Sequence, residues 1–488
     1  MMCRAWCVCL GLILVFGLPL VGFGQAVDKA VTDCIQAGNK ALQTGHYKDA
    51  EKDYKQALTY LRSTPNDPLR GMALNGLGLL AMTRKQYTDA ETYYKTALDF
   101  LKKVRGEHHP DVAFTLDNLA DLQYTLGKPE KAEPLYMQAL LILQKAEGND
   151  APDQLDTVNA LAQIYYSENK FADAEPMLVS AVKIIEKTNG ADSPDLAWKL
   201  VMLGVAYQAQ NKNAQLEPVL KRALPIAEKS WGADSQDLVW IVGTLAGLEQ
   251  AEKNYPEATV HLTRMLDLQR KAPTPDQAGI AATLSQLGSL NLLQGKLSEA
   301  ETVLKQADEI QEKTPGHDTA PTAATLNLLG KIAYRQQKYV DAEVKFLAVL
   351  PIRQKVLGVA HADTGATLSD LSATEYKLNK FAESEQYAKA ALDIQQKTIG
   401  NDNLDTAVTL TTLGSLYVML ERYADALPLL KQALTVRDKE LGKEDPQILE
   451  VLEPYVNALF KTDHPLEAVE MKNRLADLKS KLKGPAPK

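Results

Sequence analysis

A repeat with a period of 42 residues runs along most of the chain and limits the fold more strongly than any other feature. Segments such as YKDAEKDYKQAL at 47–58 and YADALPLLKQAL at 423–434 are copies of one pattern. After a first interval of 40 residues, the central residues of successive copies are always 42 residues apart. The eleven central residues are Ala50, Ala90, Ala132, Ala174, Leu216, Ala258, Ala300, Ala342, Ser384, Ala426 and Ala468. Such regular self-similarity predicts a repeat architecture.

A second column of small residues lies twelve residues before the central column. In the second copy this residue is Gly78, which follows Leu77, and another apolar residue, Leu74, stands three residues before Leu77. Apolar residues spaced by three, four and seven lie on one face of a helix, so each copy predicts two amphipathic helices. The small residues let the two helices approach closely, and a large side chain there would cost about 1–3 kcal/mol.

Some positions depart from the pattern. Leu216 and Ser384 replace the central alanine, and Val456 interrupts the second small column in the last copy. We expect those units to pack less well or to serve as caps. Cys34 occupies an apolar position before Gly38, and we expect it to be a buried core residue.

The pattern Leu-Gly-x-x-Tyr in one helix and Ala-x-x-x-Tyr-x-x-Ala in the next resembles the tetratricopeptide repeat. The ordinary repeat has about 34 residues, and the 42-residue form is similar to the kinesin-light-chain subtype. The segment HPDVAFTLDNLADLQYTLGKPEKAEPLYMQALLI at 109–142 matches best. The resemblance implies an all-α fold over residues 25–480, a right-handed superhelical solenoid of about eleven tandem helical hairpins. It also implies an inner groove that binds extended peptides or partner proteins.

The two ends of the chain differ from the repeats. Residues 1–24 contain Arg4, then an apolar run, then small residues, a layout typical of a signal peptide. We therefore expect an exported protein, periplasmic or secreted, with an uncleaved N-terminal anchor as the alternative. The lysine-rich segment at 481–488 is predicted to be a disordered tail.

The composition is that of a soluble protein. It is 45% hydrophobic and 24% charged, with a formal net charge of −8. An acidic chain lacks the basic surface that phosphate binding requires, so we expect no nucleic-acid partner.

The stretch GEHHPDVAFTL at 106–116 is a candidate for chemistry because it places His108 and His109 close to Asp111. Its equivalents in other copies, such as GNDAPDQLDTV and GADSPDLAWKL, lack the histidine pair but keep the first glycine and the aspartate five residues later. This favours a loop in which Gly106 ends one helix and an aspartate caps the next; adventitious metal binding is the alternative. The predicted caps are Asp111, Asp153, Asp195, Asp237, Asp363 and Asp405.

Known catalytic motifs are missing from the sequence. It contains no H-E-x-x-H, G-x-S-x-G, phosphate-loop or C-x-x-C pattern, and each of these carries a specific chemistry. We therefore predict a non-catalytic interaction scaffold with no cofactor and no metal. One alternative is a regulatory or accessory subunit of an exported enzyme or polysaccharide assembly machine, and another is an enzyme whose site has no recognisable motif.

The resemblance implies that the first helix of each hairpin lines the groove, at positions 18, 15, 14, 11 and 7 residues before the central residue. Position 18 holds Phe114, Trp198 and Trp240. Aromatic side chains are frequent anchors in interfaces, so we predict an apolar part of the groove at 198–240. Packing against the preceding helix is the alternative for the two tryptophans.

Amide and basic side chains occupy the other groove positions. Lys331 and Arg335 follow Asn327 on one helix face, and Lys377 is the equivalent of Arg335 in the next copy. This strip predicts an acid-binding part at 327–377, with a solvated face as the alternative. The asparagines that could bind a peptide backbone are Asn75, Asn118, Asn159 and Asn327.

Overall fold

The computed structural model describes residues 24–314 and 318–482. Over these ranges the chain forms 22 α-helices and two 3₁₀ segments, Pro152–Gln154 and Pro446–Ile448, with no β-strand. Each odd-numbered helix except the last packs most extensively against the helix that follows it, and the last packs about equally against the helices before and after it. The all-α fold of eleven tandem helical hairpins is therefore confirmed for the described residues.

The chain divides into two compact units, the first ending at Ala233. The first unit contains five hairpins, each with a first and a second helix. Its helices are α1 Gly24–Gln43, α2 Tyr47–Tyr60, α3 Leu69–Thr83, α4 Tyr87–Arg105, α5 Pro110–Thr125, α6 Pro129–Glu147, α7 Leu155–Ser167, α8 Phe171–Asn189, α9 Pro194–Ala209 and α10 Asn213–Trp231.

The second unit begins at Asp234 and contains six hairpins. Its helices are α11 Leu238–Ala251, α12 Tyr255–Arg270, α13 Gln277–Leu293, α14 Leu297–Glu312, α15 Ala320–Arg335, α16 Tyr339–Val356, α17 Ala362–Lys377, α18 Phe381–Thr398, α19 Leu404–Met419, α20 Tyr423–Glu440, α21 Leu449–Phe460 and α22 Pro465–Leu482.

The two end segments fall mostly outside the described residues. Of the predicted signal peptide at 1–24, only Gly24 is described, as the first residue of α1. Of the predicted tail at 481–488, Lys481 and Leu482 still belong to α22. Among the residues that the structure describes, no helix is both long and apolar enough to cross a bilayer.

The small columns lie where the two helices of a hairpin touch. A Cβ atom on Gly78 would come within 2.4 Å of the Tyr94 ring, and one on Gly330 within 2.6 Å of the Phe346 ring. Both rings are almost completely buried. The small residue in the first helix therefore makes room for a large side chain of the second helix, as predicted from the sequence.

The departures from the pattern do not weaken the packing. Leu216 and Ser384 are fully buried like the alanines they replace. The Ser372 hydroxyl donates to the Ser384 carbonyl oxygen at 3.0 Å, and the Ser384 hydroxyl donates back to the Ser372 carbonyl oxygen at 2.9 Å. Looser packing is therefore not observed at these two central residues, and at Ser384 the reason is that the serine pair satisfies its own hydroxyls across the contact.

Cys34 is half-buried against the core of the first hairpins rather than fully buried. Burial raises the pKa of its thiol, with smaller contributions from Asp53 and Asp33. A raised pKa keeps the thiol protonated and unreactive, in agreement with a packing role.

The stretch that contains the histidine pair is a helix connection, but its cap differs from the prediction. Gly106 has a φ of 91° after the end of α4. The N-cap of α5 is His109, whose Nδ1 accepts a hydrogen bond from the Asp111 amide at 3.1 Å. Asp111 itself lies inside the first turn, where a carboxylate faces the positive end of the helix dipole.

The same correction applies at other hairpins. The cap side chain stands two residues before the aspartate, and the intervening residue is the first of the helix. Asp153 lies in a 3₁₀ segment, and Asp237 occupies a cap position but makes no side-chain cap bond. The caps that bond the amides of Asp195, Asp363 and Asp405 are Ser193, His361 and Asn403.

The contact between Gly78 and Tyr94 leads to a testable prediction. Gly78→Ala should lower the free energy of unfolding by about 1–3 kcal/mol because its methyl group would overlap the buried Tyr94 ring. Gly247 is the matched control, since a Cβ there would meet nothing within 4 Å. Gly247→Ala in α11 should instead stabilise by about 0.5–1 kcal/mol through helix propensity. Urea unfolding followed by circular dichroism measures both, and equal shifts would contradict the packing role.

Candidate functional site

The first helices expose a stripe of side chains, which we call the first-helix face. It consists of the positions 18, 14, 11 and 7 residues before the central residue of the hairpin; Gly76 in α3 and Met202 in α9 are exceptions and are buried. In α5 these positions hold Phe114, Asn118, Asp121 and Thr125, all exposed or half-buried. The opposite side of α5 is buried against its neighbours. The face is therefore the one part of a first helix where a partner could reach several consecutive turns.

In four hairpins the side chain at position 15 turns away from this face and bonds to a threonine at position 17 of the next hairpin. We call these contacts the inter-hairpin ladder. The rungs are Asn75 Nδ2 to Thr115 Oγ1 at 2.8 Å, Thr157 Oγ1 to Asp117 Oδ2 at 2.9 Å, Ser285 to Thr325 between hydroxyls at 2.8 Å, and Ser369 to Thr409 between hydroxyls at 2.7 Å.

The prediction that these asparagines are open to a peptide is wrong for two of them. Asn75 and Asn327 are only 4% and 7% exposed, so they lie between hairpins and are not open to a peptide. Asn118 and Asn159 are half-buried, and the Asn159 Oδ1 atom has no hydrogen-bond partner among the described residues. Helix periodicity places position 15 beside the face, but the rotation between successive hairpins turns it inward.

Two aromatic side chains of the first unit remain open on this face. Phe114 is 45% exposed and Trp198 is 56% exposed. The Trp198 ring packs edge-to-face on Trp231 with 6.2 Å between ring centroids, which holds it in one orientation. Trp240 lies in the second unit and is half-buried in α11.

Three carboxylates lie on α5 and α7, and two of them, Asp117 and Asp121, share α5 with Phe114. Burial raises the pKa of Asp117 well above its usual value, and the charges of Asp121 and Asp156 raise it further, against the hydrogen bond from Thr157. Burial also raises the pKa of Asp121 and Asp156. The Tyr136 hydroxyl donates to Asp121.

Asp121 and Asp156 still have solvent-accessible surface, although protein surrounds them on several sides. Asp121 and Asp156 therefore form an exposed negative patch on the first-helix face, with the half-buried Asp117 next to it in the inter-hairpin ladder. Sequence reasoning missed this patch because the aspartates occupy different positions of two successive repeats. Their proximity depends on how one hairpin packs on the next.

The predicted basic strip of the second unit contains an acid at its centre. Lys331 Nζ lies 3.7 Å from Asp370 Oδ2, and burial raises the pKa of that carboxyl group despite the nearby lysine. Arg335 is exposed and approaches the Leu292 carbonyl oxygen at 3.5 Å. Lys377 lies over the Tyr376 ring at 5.6 Å from its centroid. The strip thus pairs one of its cations with an acid, and acid binding there stays a prediction.

Charges on other hairpins of the second unit act on Tyr334 in α15. Burial raises the pKa of Tyr334 to about 12, and the charges of Glu450 in α21 and Asp370 in α17 contribute to that shift.

Over the described residues, no group of three or more His, Cys, Asp or Glu side chains is placed to hold a metal ion. His109 is engaged as a helix cap, so the histidine pair does not form a site with Asp111 beyond that local contact.

Comparison with protein families finds a match over well over half of the chain. The family model described as tetratricopeptide repeat matches residues 69–145, 126–187, 153–229, 237–313, 321–397 and 363–439. A comparison with curated protein sequences finds none that matches significantly.

Several solved structures are similar to this chain. BtubC (BKLC) from P. vanneervenii is 18% identical, with 48% of this chain and 94% of that chain covered and a TM-score of 0.39. A putative kinesin light chain with nearly identical TPR-like repeats from Podosopora anserina is 19% identical, with 43% and 100% covered and a TM-score of 0.35. The apo form of RapI is 13% identical, with 76% and 98% covered and a TM-score of 0.48.

The inter-hairpin ladder makes a second prediction. Thr409→Val removes the hydrogen bonds that its hydroxyl makes with Ser369 at 2.7 Å and Gln395 at 2.8 Å. Both partners are buried, so leaving them unpaired should cost about 1–3 kcal/mol of unfolding free energy. Thr412→Val is the control, because that hydroxyl bonds only to the Val408 carbonyl oxygen of its own helix, and it should change stability by less than about 0.5 kcal/mol. Equal losses in thermal unfolding would rule out a structural role for the ladder.

Proposed function

Because the chain belongs to the tetratricopeptide repeat family, we propose that it is a non-catalytic scaffold for protein–protein interaction. The first-helix face is the proposed binding surface in each unit. Its partner would be an extended protein segment that lies across several hairpins.

The observation that carries this proposal is the negative patch of Asp121 and Asp156, with Asp117 next to it, on the face that also exposes Phe114 and Trp198. A carboxyl group whose pKa is higher in the native state than in the unfolded state destabilises the fold at neutral pH. The penalty disappears as the pH falls below the unfolded pKa, where both states are protonated. Groups that destabilise the fold are expected where they serve binding. A cation of the partner that paired with these carboxylates would stabilise their charged form and remove the destabilisation.

The chemistry of the face indicates the kind of partner for the first unit. Phe114 and Trp198 offer apolar surface on rigid rings, and such rings are common anchors of interfaces. The carboxylates next to them favour lysine or arginine over acidic residues. We therefore propose a segment that combines basic and apolar side chains.

A binding measurement with three variants tests the proposal. The partner would be recovered by affinity purification of the protein from its native source, and its dissociation constant measured by calorimetry. Asp121→Asn and Trp198→Ala should each weaken binding about tenfold or more, as expected for groups at the centre of an interface. Asp121→Asn keeps an oxygen to accept the Tyr136 hydrogen bond, so the fold should persist.

Leu141 provides the matched control, since it is 61% exposed on α6, the second helix of the same hairpin as Asp121. Leu141→Ala should leave the dissociation constant unchanged. The proposal fails if Leu141→Ala weakens binding while the other two variants bind as tightly as the wild type. For the second unit, Lys331→Glu combined with Arg335→Glu tests whether the basic strip contributes.

Export is a separate proposal, supported by Arg4 and the apolar run at 8–21. The protein isolated from its native cells should begin near Gly24 or Ala26 when its N-terminus is sequenced. Ile13→Arg should keep the protein inside the cell and uncleaved, because a charge in the apolar run disrupts its recognition as a signal peptide. A retained anchor would leave residues 1–24 on a membrane-bound protein, and equal export of wild type and variant would contradict the proposal.

A further inference from the structure

The outer side of α16, the second helix of the eighth hairpin, is unusually apolar. Val340, Val344 and Leu347 are 62%, 61% and 41% exposed. Spacings of four and three residues place them on one side of the helix, and Pro351 continues the same line and is also exposed. Together they form what we call the α16 stripe.

The equivalent positions in other hairpins are mostly polar. In the seventh hairpin, the residues that correspond to Val340, Val344 and Leu347 are serine, threonine and lysine. In five hairpins, a glutamate one residue after the central residue pairs with a lysine four residues later. These pairs are Glu51–Lys55, Glu91–Lys95, Glu217–Lys221, Glu301–Lys305 and Glu385–Lys389.

The α16 helix has lost this ion pair. Leu347 stands in place of the lysine, and Glu343 instead pairs with Lys380 of the following hairpin. An exposed leucine at a position where other hairpins have lysine lowers solubility. It does not add to the core, because Ala342, Phe346 and Val349 already fill the inner side of α16. Contiguous exposed apolar surface of this kind marks an interaction site.

A groove runs beside the stripe and could receive side chains from a partner. Its volume is about 380 Å³, and its apolar lining includes Val344, Ala348 and Ile352 of α16 and Leu326 of α15. The stripe thus offers both protruding side chains and a depression next to them, the two features that a packed helix pair needs.

Charges at the two ends of the stripe identify the occupant. Asp341 is exposed near the start of α16 and Lys355 near its end. Each is seven residues from Ala348, so an antiparallel second α16 centred there would bring each Asp341 opposite the other copy's Lys355. The ion pair of Lys355 with Asp318 spans 3.5 Å and is largely exposed, so exchanging it costs little.

We propose that two copies of this chain associate through their α16 stripes, antiparallel and related by a two-fold axis. Symmetric contacts of one patch with itself are the commonest form of homodimer. A single helix pair lies at the low end of specific interface areas, which begin at about 1,200 Å² in total. The dimer should therefore be weak, with a dissociation constant on the order of micromolar. It uses the second helix of a hairpin and so leaves the first-helix face of that hairpin free.

Sedimentation equilibrium of the purified wild-type protein tests the association. The wild type should show a reversible monomer–dimer equilibrium. The triple variant Val340→Ser, Val344→Thr and Leu347→Lys, which installs the residues of the seventh hairpin, should stay monomeric with unchanged helicity. A wild type that is monomeric at about 100 µM, far above such a dissociation constant, would overturn the proposal, as would a triple variant that dimerises like the wild type.

A charge exchange tests the antiparallel arrangement. Asp341→Lys and Lys355→Asp should each weaken the homodimer about tenfold, because each variant places like charges opposite one another. A mixture of the two variants should form heterodimers at least as well as the wild type dimerises, since every contact is again between opposite charges. If the mixture does not associate, the antiparallel two-fold arrangement is wrong.

Discussion

The structure depends on the close contact between a small residue of the first helix and a bulky side chain of the second helix, which recurs in most hairpins. At Gly78 and Tyr94, for example, a single added Cβ would overlap the ring. Because the contact recurs with a 42-residue period, it sets the same helix separation in hairpin after hairpin. The energy of such a chain is largely a sum over hairpins and their neighbouring interfaces, so this local contact governs the stability of the whole array.

The inter-hairpin ladder adds the second constraint, which is the rotation of one hairpin against the next. Apolar packing alone tolerates sliding, whereas a buried hydrogen bond such as that between Ser369 and Thr409 has a defined distance and direction. A hairpin that rotated would leave both hydroxyls unpaired in a dry interface. The ladder thereby fixes which positions of the first helices point outward, and so it defines the first-helix face.

The repeat spacing was enough to predict the number of helices, their pairing and the packing role of the small columns. It also placed Phe114 and Trp198 on a stripe that the structure leaves open. It could not separate position 15 from that stripe, because the inward turn of Asn75 and Asn327 depends on the rotation between hairpins. The cap made by His109 was missed for a different reason. The repeated aspartate was the more regular signal, but the cap geometry uses the residue two positions earlier.

The two sides of the hairpins have different proposed roles: the first helices bind a partner, and one second helix, α16, mediates self-association. Its central claim is that the first-helix face is the binding surface. Photocrosslinking tests this most directly, with a photoreactive phenylalanine derivative placed at Phe114, at Trp198 or at Leu141. The account predicts crosslinks to the partner from the first two positions and none from Leu141. Crosslinks from Leu141 alone would contradict it.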